Sequence, residues 1–261
     1  MAEFNEVYQR ALYYDIVFNR DVSGEVDFII EVYRRFHDGQ MPTSLLDLAC
    51  GPGYHARDFA RRGLRAVGLD LRQEMLVLAQ EAAERDNVHV EWIAADMRHL
   101  KMDTPVDIAI NVFDGIDCLL TNDDLIAHLD AIAANLTPGG LYLIDVTHPQ
   151  FATLGHYAPF HYSGSRDGVS VDITWKGESS QIDPLAGIAS TEVEMRIHDN
   201  GHEQRLIDVA QERFLTAQEI TLLARCSGKL APVAWYGGYN LNLPFNNSPD
   251  ARQMIGILQK I

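Results

Sequence analysis

The sequence predicts a doubly wound α/β fold with a mostly parallel sheet, and three observations predict it. Short apolar runs alternate with helical stretches through the first 150 residues, the pattern of consecutive βα units. The first run enters a Gly-x-Gly turn that opens directly into a helix. Beyond Pro149 the periodicity changes to two, which adds antiparallel strands to the parallel ones.

The elements follow in order. The first strand, Leu45–Leu48, runs into Gly51-Pro52-Gly53, where backbone must turn tightly and approach a ligand with no Cβ in the way. The next helix presents its unpaired N–H groups there, the arrangement of a nucleotide-cofactor site. Asp47, just before the turn, would repel a pyrophosphate and suits a cationic amino group, which points to S-adenosylmethionine rather than NAD. The second run, Arg65–Asp70, ends in a carboxylate placed to accept hydrogen bonds from two ribose hydroxyls. The third, Val88–Ile93, leads to Asp96, an acceptor for the adenine amino group, and Met97, which packs on the ring. A fourth, Val106–Asn111, opens into Asp114 and Asp117, and a fifth, Leu141–Val146, follows Leu136-Thr137-Pro138-Gly139-Gly140. Helices are expected over residues 25–37, 54–62, 72–85 and 122–135, the last with Asn122 as N-cap.

These residues, in this order and spacing, make the chain resemble the class I S-adenosylmethionine-dependent methyltransferases. The resemblance implies a Rossmann-like, doubly wound, seven-stranded sheet with an N-terminal helical cap and an antiparallel β insertion. It assigns Asp47, Ala49, Gly51 and Gly53 to the glycine-rich motif, Asp70 to the ribose, and Asp96 and Met97 to adenine, with Leu71, Met75 and Asn111 as further cofactor contacts. The stretch Tyr13–Val22 and the tail are similar to the small-molecule branch that contains the macrolide amino-sugar N,N-dimethyltransferases. There a tyrosine and a basic residue close over the cofactor, which implies Tyr14 and Arg20 here. One departure stands out. Where that branch tends to carry small residues and a histidine after strand four, this chain has Asp114, Asp117 and Cys118, so an amino-sugar acceptor is not implied.

After Pro149, period-two runs at Val169–Trp175, Ile188–Ile197 and Arg205–Phe214 predict an antiparallel insertion, with Asp199-Asn200-Gly201 as a tight hairpin turn. Thr216-Ala217-Gln218-Glu219 forms a capping box for a helix ending at Gly228, and strands near Pro232–Tyr239 and Gln253–Lys260 close the fold. The expected organisation is a helical cap or lid over 1–40, a cofactor-binding core over 41–149 and 215–261, and a β insertion over 150–214. The resemblance to the small-molecule branch implies that the insertion roofs the substrate pocket and pairs two subunits as a homodimer.

Composition narrows the partners. Thirty-seven acidic against twenty-one basic residues give a net charge of -16, which disfavours nucleic acid as substrate. The arginines at 57, 61, 62 and 65 read as a solvated helix face. Three cysteines without a C-x-x-C pair offer neither a disulfide framework nor a zinc knuckle, and Cys50 reads as a small buried filler. An acidic start and the lack of a long apolar run indicate neither export nor membrane insertion, so a cytoplasmic protein is expected.

Methyl transfer asks the protein for alignment, desolvation and a route for one proton. Candidates to orient or deprotonate the acceptor lie at the carboxyl ends of strands four and five, where ligands bind in open α/β sheets: Asn111, Asp114 and Asp117 on one side and His148 on the other. His148 is the sharpest base candidate because its unperturbed pKa lies near neutrality. No metal is expected, since the spacings of His148, His156 and His161 match no ligand signature. Tyr157, Phe160 and Tyr162 suggest an aromatic loop over the substrate. The expected activity is methyl transfer to nitrogen, oxygen or carbon of a small metabolite, with S-adenosylhomocysteine as product. An NAD-dependent oxidoreductase and an S-adenosylmethionine-binding protein that transfers no methyl group remain as alternatives.

Overall fold

Leucine- and valine-rich runs between turn signals become the strands of the main sheet, in a computed structural model that describes residues 6–153 and 156–261. Strands β1 (Ser44–Leu48), β2 (Arg65–Asp70), β3 (Glu91–Ala94), β4 (Val106–Asn111) and β5 (Leu136–Thr147) pair in parallel. Helices cover both faces of them, as parallel strands require. They include α3 (Ser23–Phe36), α4 (Tyr54–Arg61), α5 (Gln73–Arg85) and α6 (Asn122–Asn135), whereas α1 (Glu6–Gln9) and α2 (Ala11–Phe18) pack against later antiparallel strands and α5.

A second layer of strands follows. Strands β6 (Ala152–Thr153) and β7 (His156–Tyr157) make a short pair, and β8 (Phe160–Arg166), β9 (Val169–Trp175), β10 (Gln181–Asp183), β11 (Ile188–Asp199) and β12 (His202–Arg213) make a five-stranded antiparallel sheet. The chain then returns to the core through α7 (Ala217–Ser227), β13 (Leu230–Tyr236) and β14 (Gln253–Lys260). The main sheet runs β13-β14-β5-β4-β1-β2-β3, with β14 antiparallel to β5. Its strand order reverses between β1 and β4, and ligands of doubly wound sheets bind beyond such a reversal.

Alternate residues of each strand feed opposite cores. Leu45, Ile108 and Ile110 pack with Val26, Ile29 and Phe59 on one face, while Leu46, Leu48 and Leu69 pack with Leu125, Ile132 and Leu223 on the other. A third cluster joins the insertion to the N-terminal helices: Val171, Ile173, Trp175, Val193 and Met195 bury against Val7 and Phe18. The insertion lies flush there, since a Cβ on Gly164 would overlap the carbonyl of Ile16. Its far strand, β12, packs against the short 3-10 turn Gly115–Cys118, and Arg213 donates to Asn122 Oδ1 at 2.7 Å and to the Leu120 carbonyl at 3.5 Å.

Several local expectations hold. Asn200 and Gly201 both adopt positive φ in the β11–β12 turn, and the Thr216–Glu219 capping box and the left-handed Gly228 bound α7. Others change for identifiable reasons. The α6 N-cap is Thr121 rather than Asn122, because the Thr121 hydroxyl accepts from the Asp124 N–H at 3.1 Å. Strand β3 begins at Glu91 rather than Val88, whose N–H still bonds back to the Ala83 carbonyl at the end of α5. The expected aromatic loop is largely strand β8, with Phe160 and Tyr162 on its inner face, because distant β9 supplies a pairing edge. The arginine face is ion-paired: Arg57 and Arg61 hold Asp86, Arg62 holds Asp27 and Asp58, and Arg65 reaches Glu91.

Among the described residues no helix is long and apolar enough to cross a membrane, and no three acidic, histidine or cysteine side chains gather as a metal site. The acidic start, residues 1–5, and the His156 side chain lie outside the described residues.

Candidate functional site

At the carboxyl end of β1 the backbone leaves the sheet through three left-handed positions, Ala49 (φ 53), Gly51 (φ 52) and Gly53 (φ 73). Such a turn strains any residue with a Cβ, and Ala49 is held in it by its surroundings. At Gly53 the constraint is steric as well: a Cβ there would overlap the Trp92 ring, which also lies against Gly68 of β2. Trp92 therefore forms the floor on which the turn rests.

Two carboxylates frame the turn. Asp47 lies beneath it, 1% exposed, accepting from the Ala56 N–H at 3.2 Å, and burial pushes its carboxyl up to about 6. Asp70 accepts from the N–H groups of Gly51 and Arg72, each at 2.8 Å, and burial raises its carboxyl against those bonds. Both of its oxygens keep a second lone pair for ribose hydroxyls. Leu71 beside it is exposed, and Met75 is buried in α5.

The adenine side departs from expectation. Both oxygens of Asp96 are engaged by Arg98, whose Nε lies 3.0 Å from each and whose Nη2 lies 2.5 Å from Oδ2. That guanidinium holds the carboxylate below its ordinary range and also reaches Asp124 at 2.5 Å. Met97 is buried, and its carbonyl meets His128 Nδ1 at 3.2 Å, while His128 Nε2 meets the Tyr142 hydroxyl at 2.7 Å. Burial lowers the His128 imidazole to about 4, so this ring is neutral and bolts the loop to α6. Asn111, fully buried, donates to the Leu48 carbonyl at 3.3 Å and to the Met97 sulfur at 3.7 Å, yet its Oδ1 has no partner. A Cβ on Gly115 would sit 3.0 Å from that oxygen.

Tyr14 lies over the turn. Its ring edge stands 4.0 Å from where a Gly51 Cβ would be, and burial raises its hydroxyl with the Asp70 charge adding to the effect. Arg20 is exposed and paired with Glu25, which also meets His55 Nε2 at 2.7 Å.

Across from the turn, carboxyl groups converge. Asp114, in a left-handed conformation (φ 61), accepts from the Thr147 N–H at 2.5 Å and the Thr147 hydroxyl at 2.9 Å. Asp145 Oδ2 accepts from the Tyr239 hydroxyl at 2.9 Å, Gln253 Nε2 at 3.2 Å and the Phe113 N–H at 3.4 Å. Glu212 of β12 accepts from the Tyr157 hydroxyl and from Trp175. Asp117 Oδ1 is buried with no partner. Burial raises all four, Asp145 and Glu212 to about 7 each and Asp117 well above its ordinary value, and the Asp114 charge adds to the effect at the other three. Tyr8, Tyr157, Tyr162 and Trp175 stand around them.

His148 does not join this group as a base. Its Nδ1 accepts from the Gln150 N–H at 3.0 Å, which leaves the proton on Nε2 to donate to the Asn246 carbonyl at 3.0 Å. Both nitrogens are spent on backbone, and burial lowers its pKa. His161 is exposed on β8 beside Thr174. Cys50 is buried with its thiol pushed well up, an inert filler.

Two members escaped sequence reasoning. Asp145 carried a usable signal, a charge inside the apolar run Leu143-Ile144-Asp145-Val146. Glu212 carried none, because the turn it faces belongs to another sheet.

Residues 45–140 match the family described as Methyltransferase domain. Over 103 residues the chain is 29% identical to a dTDP-3-amino-3,4,6-trideoxy-alpha-D-glucopyranose N,N-dimethyltransferase of Streptomyces venezuelae, an alignment spanning 40% of this chain and 42% of that protein. The fold is similar to that of an S-adenosylmethionine-dependent methyltransferase from Clostridium acetobutylicum, with a TM-score of 0.77 at 19% identity over 98% of this chain and 99% of that one. It is also similar to the S-adenosylmethionine-bound amino pentose methyltransferase CalS10 from Micromonospora echinaspora, with a TM-score of 0.71 at 20% identity over 100% and 99% of the two chains. These two likenesses bear on the fold.

Proposed function

From a chain that carries the class I S-adenosylmethionine-dependent methyltransferase domain and fold, we propose methyl transfer from that cofactor to an amine nitrogen of a small molecule. The observation that carries the choice of nitrogen is the set of four buried carboxyl groups, Asp114, Asp117, Asp145 and Glu212, among aromatic rings around the Gly115–Cys118 turn, which packs beside Ala49 of the cofactor turn. Such a pocket attracts a cation and repels an anion. Phenolate and carboxylate acceptors are thereby disfavoured. The Streptomyces venezuelae relative is named for N,N-dimethylation of an amino sugar, which agrees with nitrogen as the acceptor atom.

The residues present fit the cofactor. Asn111 Oδ1 is an orphaned buried acceptor next to the turn, and leaving it unpaired costs about 1–3 kcal/mol unless a donor arrives. The positive-φ turn leaves open backbone at Gly51, and no side chain hydrogen-bonds across the N-cap of the helix that follows. Asp47 would favour the cofactor's ammonium group from beneath, Asp70 the ribose hydroxyls, and Met97 and Met75 the adenine ring. Asp96 can reach the adenine amino group only by sharing oxygens already bonded to Arg98, so we assign it a holding role for that loop. Tyr14 would close over the turn, with Arg20 exchanging Glu25 for the cofactor's carboxylate.

When bound, the cofactor supplies a sulfonium-activated methyl carbon. The chain's own residues align the amine, exclude water with the aromatic wall and accept a proton. We read residues 1–40 as the lid, 150–214 as the acceptor roof, and the remainder as the cofactor core. We also propose a homodimer through the insertion, supported by the edge strand β12 with its exposed Ile207 and Val209; light scattering giving ~29 kDa, the mass of one chain, would remove the dimer.

Calorimetric titration with S-adenosylhomocysteine and with NAD, followed by a screen of amines, phenols and carbon acids for methyl acceptance, tests the reading. Micromolar S-adenosylhomocysteine binding, silence from NAD and methylated amines support it. Binding of NAD alone, or methylation confined to phenols or carbon acids, overturns it.

A further inference from the structure

We propose that Asp117 and Glu212, one from each sheet, form the seat of the acceptor's ammonium group, and that Glu212 takes its proton. This rests on the amine reading above and deepens it. The four carboxyl groups are not equivalent. Asp114 has both oxygens bonded to Thr147, and Asp145 is held by Tyr239, Gln253 and the Phe113 N–H. Asp117 alone has a buried oxygen without a donor, and the charges acting on it are Asp114, Glu212 and Asp145, all acidic. A carboxyl group buried among like charges with an empty acceptor is a position for an external cation.

Glu212 is brought to that position by the fold. Strand β12 packs on the Gly115–Cys118 turn that carries Asp117, and the neighbouring Arg213 is fastened to Leu120 and Asn122 just beyond it. Tyr157 and Trp175 donate to Glu212, so its carboxyl is oriented from the insertion side. The titratable groups that face the pair are Asp114, Asp145 and Cys118 from the core, Tyr8 from α1 and Tyr157 from β7. A carboxyl group titrating near 7 is a far better base than a free glutamate and is ionised in part at neutral pH.

The step balances. One N–H bond of the ammonium breaks and its proton forms a carboxylic acid on Glu212, leaving the electron pair on nitrogen. That pair forms the N–C bond to the methyl carbon while the C–S bond breaks and its pair stays on sulfur as a neutral thioether. The product nitrogen carries the positive charge, and Glu212 returns its proton to solvent when the product leaves.

The test uses the whole chain loaded with S-adenosylhomocysteine and titrated with primary amines from methylamine to phenethylamine and cadaverine, each beside its matching alcohol. At least one amine is expected to bind tenfold or more tightly than its alcohol. Asp117→Asn and Glu212→Gln should each weaken that amine at least tenfold while leaving S-adenosylhomocysteine affinity within twofold. Repeating the titration at pH 6.5 in buffers of different ionisation heat should show proton release on amine binding that shrinks in Glu212→Gln. For any methylated amine, the acid limb of the kcat profile near pH 7 should disappear in Glu212→Gln. Tyr157→Phe removes only the hydroxyl that orients Glu212; if Glu212→Gln melts early, a shifted acid limb in this milder variant carries the test. Equal binding of amine and alcohol, no amine bound, or full amine affinity in both carboxyl variants overturns the proposal. Failure of S-adenosylhomocysteine itself to bind would instead remove the cofactor assignment.

Discussion

Around the glycine turn the contacts run largely through main chain: Asp47 and Asp70 accept from backbone N–H groups of residues 51, 56 and 72, and the turn rests on one tryptophan ring. Around Asp117 the groups that meet are mainly side chains, drawn from α1, the β4–α6 connection, β5, β7, β9 and β12, with the Thr147 and Phe113 N–H groups as the backbone donors. The first region spans a few dozen residues and depends on conformations open mainly to glycine. The second spans more than two hundred and depends on charges that burial has made unfavourable. A backbone-built site tolerates little substitution but holds its shape without ligand, whereas a site of crowded carboxyl groups gains stability when a cation arrives.

The largest expected effect falls on the turn. Gly53→Val meets both a positive φ and the Trp92 ring, so a loss of roughly 2–5 kcal/mol in stability is expected along with the loss of S-adenosylhomocysteine binding. Thermal melting and calorimetry measure both, and near-normal affinity would erase the contrast between the two regions.

Next comes the carboxyl pocket. A carboxyl group raised in the folded state binds more protons folded than unfolded, so the ligand-free protein should lose stability as pH rises from about 4.5 to about 7 through Glu212, then level off. Glu212→Gln should recover about 1–3 kcal/mol at pH 8 and almost nothing at pH 4. Denaturant melts at the two pH values decide it, and equal gains at both would assign the effect to packing.

Behind the adenine loop, His128→Leu strands the Met97 carbonyl and the Tyr142 hydroxyl, a cost of about 1–3 kcal/mol. Cofactor affinity should fall with it while amine-over-alcohol preference in the loaded protein stays. A lost preference would mean that the two regions are coupled through α6.

The smallest effect is expected at His148, whose nitrogens serve backbone groups. His148→Gln should lower the melting temperature slightly and leave kcat for any methylated amine within twofold. A hundredfold fall in kcat would return a base role to this ring.

Much of the core was legible because its causes are local. The strand-turn-helix at residues 45–61, the acid closing β2, the helix over 122–135 and the capping box at Thr216 each follow from neighbouring residues. The Asn200-Gly201 turn followed for the same reason. Strand β8 was not legible, since its pairing edge and inner face come from β9 and the N-terminal helices. Asp96 was read from its place in the motif; its capture by Arg98 is local, but the Asp124 carboxylate that steadies the same guanidinium needed α6 in position. His148 looked like a base from its place past a strand end, but loops at Gln150 and Asn246 consume both nitrogens.

By itself, then, the sequence determined the alternation of strands and helices, the glycine turn, the acids that frame it and the change to an antiparallel insertion. Periodicity, backbone freedom and capping act over a few residues and are written where they act. The tertiary structure alone decided that Glu212 stands opposite Asp117, that Trp92 supports Gly53, and which carboxyl groups are satisfied and which are left open. Burial and charge coupling depend on what surrounds a group in space, and residues ninety-five positions apart have no relation in the chain until two sheets close on each other.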